Sequence, residues 1–216
     1  MNEWKTKTEK FKLRNTPINS NNNFNIKEMA NWASTSYCIE GSESELRKIF
    51  NVIEDFITGK NEPVEKDASR EWEGNIVKAL GATKEQMEKY YLRGFIYEYE
   101  FKNNILSIEA QEAWGATDFR HVLRQLMPEL TIYFIVDEPG CEVYATNDAD
   151  GKYFSERFYV DACVDGNYES DYFETEEQAM FYAAKLLGKE KVTKEELENW
   201  KKEEEFIRIH EFEVIN

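Results

Sequence analysis

Between Ser34 and Val136 the apolar positions switch repeatedly from a period of two to a helical period, in an order that few chain topologies can accommodate. Thr35, Tyr37 and Ile39 alternate with Ser34, Ser36 and Cys38, which predicts a strand stopping at Gly41. Ser42-Glu43-Ser44-Glu45 is a capping-box sequence, in which the first hydroxyl accepts from the amide three residues on and the glutamate reaches back. Leu46, Ile49, Phe50, Ile53, Phe56 and Ile57 then hold one helical face up to Thr58-Gly59. Trp72, Ile76, Val77 and Leu80 mark a short helix closed by Gly81, and Thr83-Lys84-Glu85-Gln86 opens another through about Leu92. Phe95, Tyr97, Tyr99 and Phe101 alternate with Ile96, Glu98 and Glu100, and Lys102-Asn103-Asn104 turns the chain into Ile105, Leu106 and Ile108. The aromatic row is expected to pack in the core. Thr117 is expected to cap a helix along Phe119, Val122, Leu123, Leu126 and Met127 that Pro128 ends. Leu130–Val136 is apolar at every position but one, as in a strand covered on both faces.

Strand, helix, helical insertion, strand, strand, helix, strand is the order of the split βαβ, or ferredoxin-like, arrangement. The expected fold class is therefore α+β, with an antiparallel sheet and helices on one face. Residues 1–28 read as a flexible arm and 29–216 as one elaborated domain, with a core over 29–140 and an extension over 141–216. In the extension, Cys141–Thr146 and Tyr153–Val164 read as a second hairpin around Asn147-Asp148-Ala149-Asp150-Gly151. Capping boxes at Thr175 and Thr193 predict helices near 176–187 and 194–203, and Phe206–Ile215 reads as a closing strand. The extension is expected to lengthen the sheet or cap its open face.

Charge narrows the choice of partner. The 216 residues carry 27 Lys+Arg against 43 Asp+Glu, a formal charge of −16, and residues 1–28 hold +3 of the balance, so 29–216 carry −19. Non-specific nucleic-acid affinity comes from cations neutralising phosphates, so direct binding of DNA or RNA is not expected. No run approaches 18 apolar residues and the first ten lack an apolar signal core, which leads to the expectation of a cytoplasmic protein without a membrane span. Cys38, Cys141 and Cys163 are odd in number and widely spaced, as reduced thiols are.

Ala30-Asn31-Trp32, the strand after it and Glu40-Gly41 resemble the opening of the YubB-like ferredoxin-like family of plasmid- and phage-associated proteins. Leu106-Ser107-Ile108, Ala113-Trp114, Pro128-Glu129-Leu130 with Tyr133, and Asp137-Glu138-Pro139-Gly140 resemble that family's later elements in the same order. The resemblance covers about residues 29–145. It departs at Ala33 and Gly115-Ala116, where the family has Cys and Pro, and in the longer stretch 60–92. It implies a ferredoxin-like fold and a mobile-element association. It implies no catalytic residues, because the family's activity is unassigned.

The remaining motifs argue for binding rather than catalysis. Thr146–Gly151 has the spacing of a calcium loop at Asp148 and Asp150, but Thr146 and Arg157 stand where the first carboxylate and the bidentate glutamate belong, so a turn is expected. His121 and His210 lack partners at ligand spacing, and no phosphate-binding loop or nucleophile elbow occurs, so neither metal nor cofactor is expected. Residues 130–174 contain 11 acids, two basic residues and ten Tyr or Phe. Inward aromatics would display the carboxylates outward at strand spacing, with Glu142, Asp148, Asp150, Glu156, Asp161 and Asp165 as candidate partner contacts. The expectation is a non-enzymatic protein that binds a basic macromolecular partner, a protein. The alternatives are an acidic mimic of nucleic acid that inhibits a host nuclease or restriction factor, and a small-molecule or catalytic domain with a pocket.

Overall fold

The computed structural model describes residues 31–115, 118–200 and 205–215. The arm over 1–28 and the Thr117 cap lie outside them. The described chain is α+β, with six helices and two sheets. The first half runs β1 (Trp32–Glu40), α1 (Glu43–Ile57), α2 (Glu73–Leu80), α3 (Lys84–Lys89), β2 (Gly94–Lys102), β3 (Ile105–Ala113), α4 (Phe119–Leu126) and β4 (Thr131–Glu138). The second runs β5 (Val143–Thr146), β6 (Phe158–Val164), β7 (Asn167–Phe173), α5 (Glu176–Leu186), α6 (Lys194–Asn199), β8 (Phe206–Glu211) and β9 (Glu213–Val214).

Local sequence accounts for most of these elements. The Glu45 amide donates to Ser42 Oγ at 3.3 Å while the Ser42 amide donates to Glu45 Oε2 at 3.2 Å, so two amides at the start of α1 are satisfied reciprocally. Thr83, Thr175 and Thr193 cap α3, α5 and α6 in the same way. Asn103 and Asn104 both have positive φ, at 53° and 57°, the two-residue turn whose twist matches the β2–β3 hairpin.

The large sheet has the order β2-β3-β1-β4-β5-β9, antiparallel at every join except β5–β9. Tyr37, Ile39, Leu106, Ile108, Ile132, Phe134 and Val136 point from it into a core shared with Leu46, Ile49, Ile53 and Phe56 of α1 and with α2 and α4. Each such side chain contributes roughly 1.5–3 kcal/mol by leaving water. The small sheet, β7-β6-β8, packs Val160, Ala162 and Ile207 against Ala179 and Ala183 of α5.

Two expectations about the extension are corrected. Residues 141–146 and 153–164 do not pair as a hairpin: β5 pairs with β4, and β6 pairs with β7 and β8 in the other sheet. β4, paired with β1 along one edge, offers its other edge to β5 over Ile135–Glu138, whereas the eleven residues 147–157 are folded into a link between sheets by Asp148 and Arg157. The closing strand is likewise split at Phe212, whose amide donates to the Arg157 carbonyl at 2.8 Å as the chain crosses from β8 to β9. β7 has no counterpart in the sequence reading. Its signal was Asp165-Gly166, both of positive φ at 50° and 75°, a hairpin turn of the favoured kind.

Candidate functional site at the open face of the large sheet

Strand alternation sends Trp32, Ser34, Ser36, Cys38 and Glu40 of β1 to the face opposite the helices, beside Ser107, Glu109, Gln111 and Ala113 of β3. The β4 side of this face is covered. The Tyr172 hydroxyl donates to Asp137 Oδ1 at 2.7 Å, and Tyr153 packs on Tyr133 with 5.1 Å between ring centroids while donating to Glu40. Over β3 and β2 the face is more open, with Gln111 and Glu98 exposed, while Ser36 of β1 is buried.

A register shift between Ile96 and Glu98 reshapes its far side. The regular aromatic row expected on β2 does not form. Beyond the bulge, Tyr99 and Phe101 point to the core side, where each ring meets Phe50. Before it, Phe95 lies on the open face and its ring sits 5.5 Å from that of Trp32 across small Ala113. Tyr97, at the bulge, is left exposed. Burial of its hydroxyl end, with Glu109, Glu98 and Asp137 around it, pushes its pKa up to about 12, so it stays a neutral hydroxyl.

The end of the sheet near Trp32 therefore gathers unusual exposed surface: Trp32 is 39%, Tyr91 45%, Tyr97 57% and Trp114 52% exposed. The Arg93 guanidinium lies 5.7 Å from the Trp32 ring centre. Hydrogen bonds tie the neighbourhood together. The Trp114 amide donates to the Asn31 carbonyl at 2.8 Å, Asn31 Nδ2 donates to Cys141 Sγ at 3.1 Å, and the Gly140 amide donates to Glu138 Oε1 at 3.1 Å. A Cβ on Gly140 would lie 2.9 Å from Glu138 Oε1 and 3.1 Å from Asn31 Nδ2, so the ends of those two side chains would have to shift to admit it. The Cys141 thiol is held above its ordinary pKa chiefly by its hydrogen bond to Glu138, the opposite of an activated nucleophile. No family model, curated protein or solved structure matches this chain.

At the seam between the sheets, Tyr144, Tyr159 and Phe212 are buried together, with Ile135 and Tyr172 against them. His210 stacks on Tyr144 at 4.2 Å and shares a 2.9 Å hydrogen bond with Asp161, which is 2% exposed. This pair, 49 residues apart in sequence, gives His210 the partner that motif spacing could not reveal. An aspartate–histidine pair is a common acid–base unit, but here stacking and burial commit it to the seam.

The six candidate acids do not form an outward row. Asp148 is buried, and its carboxylate accepts from the amides of Lys152, Tyr153 and Phe154 at 2.9, 2.6 and 2.9 Å. Asp161 is buried against His210. Glu156 is half-buried, its pKa raised mainly by burial. Glu142, Asp150 and Asp165 are exposed, but on three separate turns. An outward row at strand spacing does not form because these acids lie in turns, in the link between the sheets and at the seam. Among the described residues no three His, Cys, Asp or Glu side chains converge as a metal site, and no helix is long and apolar enough to cross a membrane.

Sequence reasoning also missed an interior polar group. Tyr37 Oη donates to Glu112 Oε1 at 2.8 Å, and Glu73, Glu112 and Arg120 are buried beside it; burial, then Glu112 and Glu73, raise the Tyr37 pKa well above its ordinary value. The signal was Glu112's phase with Leu106, Ile108 and Ala110, which marks it as inward. Closed to solvent, this group belongs to the core.

Proposed function

We propose that the chain is a non-enzymatic, cytoplasmic interaction protein associated with mobile elements, and that it binds a protein partner through the aromatic end of the large sheet. The carrying observation is the joint exposure of Trp32, Tyr91, Tyr97 and Trp114 beside Arg93. Trp, Tyr and Arg are the residue types that dominate interface energetics, and monomeric surfaces seldom gather them without a use. Glu98 and Glu109 lie beside Tyr97 on the open face, which favours a basic partner.

A ferredoxin-like core over residues 32–138 is part of the same reading. It is supported by the order β2-β3-β1-β4, antiparallel throughout, with α1 and α4 on one face. The kinship with the YubB-like family is supported by the meeting of Asn31-Trp32, Trp114 and Glu138-Pro139-Gly140 at one end of the sheet, although they are far apart in sequence.

The test compares three baits in a host extract: the full chain, the double variant Tyr97→Ala/Trp114→Ala, and the triple variant Glu142→Lys/Asp150→Lys/Asp165→Lys. Thermal melts establish that all three fold. The aromatic variant should weaken capture of the specific partner by about 30-fold or more, and the charge variant should retain it. Loss with the charge variant alone would return the site to the acidic turns and overturn this assignment.

A further inference from the structure

We infer that the protein partner donates an extended segment, alternating cationic and apolar residues, to the outer edge of β2 over residues 97–102. The inference rests on the reading that the chain binds a basic protein, and it specifies how that protein is held. β2 is the last strand of the large sheet. Its first half is covered, since the Ile96 amide donates to the Glu71 carbonyl at 2.9 Å and Trp72 bridges to Phe95. From Tyr97 onward β2 pairs with β3 alone among the described strands. A strand paired on one side directs about half of its amides and carbonyls to the other, where a further strand can meet them. Tyr97, at the bulge, joins this edge to the aromatic end of the sheet.

The edge carries two unlike rows. Glu98 and Glu100 are exposed on the open face, in register with Glu109 and Ser107 of β3. Tyr99 and Phe101 are half-buried on the core side, their rings 5.4 and 6.2 Å from that of Phe50. Burial first, then the nearby Glu54 carboxylate, raise the Tyr99 pKa, so its hydroxyl stays neutral beside a third acid. Of the cations close by, Arg47 lies 4.8 Å from the Phe101 ring centre and pairs with Glu43 at 2.8 Å, and Lys102 stands at the end of the strand. The outer half of β2 is therefore acidic along one row and apolar along the other.

That pattern selects its complement. A strand laid about 4.8 Å from β2 presents its side chains alternately to the same two sides. Cations on one side then face Glu98 and Glu100, and apolar groups on the other rest against Tyr99, Phe101 and Phe50. Cross-strand pairs of opposite charge and of aromatic with aliphatic groups are the favoured ones. An acidic strand is repelled, and a second copy would bring another chain of charge −16 against this one. In strand addition the backbone bonds supply affinity and the alternate side chains supply the choice of partner.

The full-length protein and a short, end-blocked peptide alternating lysine and valine provide the test. In hydrogen exchange on monomer isolated by size exclusion, the amides of 97–102 that point away from β3 should exchange readily. Saturating peptide at low salt should slow them on the order of tenfold or more. The same peptide N-methylated at every backbone amide keeps its charges but cannot pair as a strand, and should give no protection. Glu98→Lys/Glu100→Lys should weaken the lysine peptide by about tenfold or more and admit a peptide alternating glutamate and valine instead. Outward amides already slow in the free monomer would mean that the edge is occupied, and would overturn the inference. So would equal protection by the N-methylated peptide, or binding unchanged by the charge reversal. The peptide experiment reads the edge alone, whereas capture by the Tyr97→Ala/Trp114→Ala bait reads the aromatic end, so the two readings can fail separately.

Discussion

The carboxyl of Asp137 lies beneath the small sheet, where it accepts the Tyr172 hydroxyl at 2.7 Å. Burial raises its pKa to about 6, neighbouring Glu138 adds to the rise, and the Tyr172 hydrogen bond works against it. A carboxyl with a raised folded-state pKa favours the folded state in its protonated form. Its contribution is therefore complete below about pH 4 and is lost as pH rises through about 6. That rise corresponds to roughly 3 kcal/mol between those limits. Asp137→Asn keeps a neutral acceptor for Tyr172 and should remove this dependence. Urea denaturation at pH 4 and pH 7.5 checks it: relative to the wild type, the variant should gain about 2–3 kcal/mol on going to the higher pH. An equal pH dependence in the two proteins would mean that Asp137 ionises freely.

At the scale of elements, the link over residues 147–157 replaces the expected hairpin. Asp148 collects three amides, and Arg157 donates to the carbonyls of Asp148, Ala149, Phe154 and Glu156. These groups do for an irregular segment what a strand partner does for a regular one. Asp148→Ala should cost roughly 2–4 kcal/mol, because buried amides lose their acceptor, whereas exposed Asp150→Ala should stay within about 0.5 kcal/mol. Equilibrium urea unfolding distinguishes the two. Both residues sit in one acidic turn motif, and their sequence context does not separate them. The capping boxes at Ser42, Thr83, Thr175 and Thr193 were legible because a cap is built from residues three apart. The role of Asp148 was not, because its recipients at 152–154 are set by a loop conformation rather than a repeat.

Across the whole molecule, two sheets are joined by an aromatic seam in which Tyr144 touches His210, Tyr159 and Phe212. The Tyr144 hydroxyl is buried without a hydrogen-bond partner among the described residues. Tyr144→Phe should therefore leave stability within about 0.5 kcal/mol or raise it, while Tyr144→Ala should cost about 3–5 kcal/mol through the cavity it opens. Chemical denaturation measures both, and a large loss with Phe would reveal a hidden partner for the hydroxyl.

Local order was written in the chain itself. Alternation and helical stripes located β1, α1, the β2–β3 hairpin, α4 and β4, since each depends on neighbours within one turn or one pleat. The acidic charge and its basic first segment were equally plain. What tertiary structure alone decided was which strand edges meet. β5 joins β4 rather than β6, the last strand divides between sheets at Phe212, and the bulge after Ile96 sends Tyr97 outward while Tyr99 turns to the core. A strand's alternation specifies its two faces but not its neighbour, and pairing energy is similar for many partners. The choice falls to long-range packing at the seam, where Asp161 meets His210 and Asp137 meets Tyr172, contacts that no window of sequence contains.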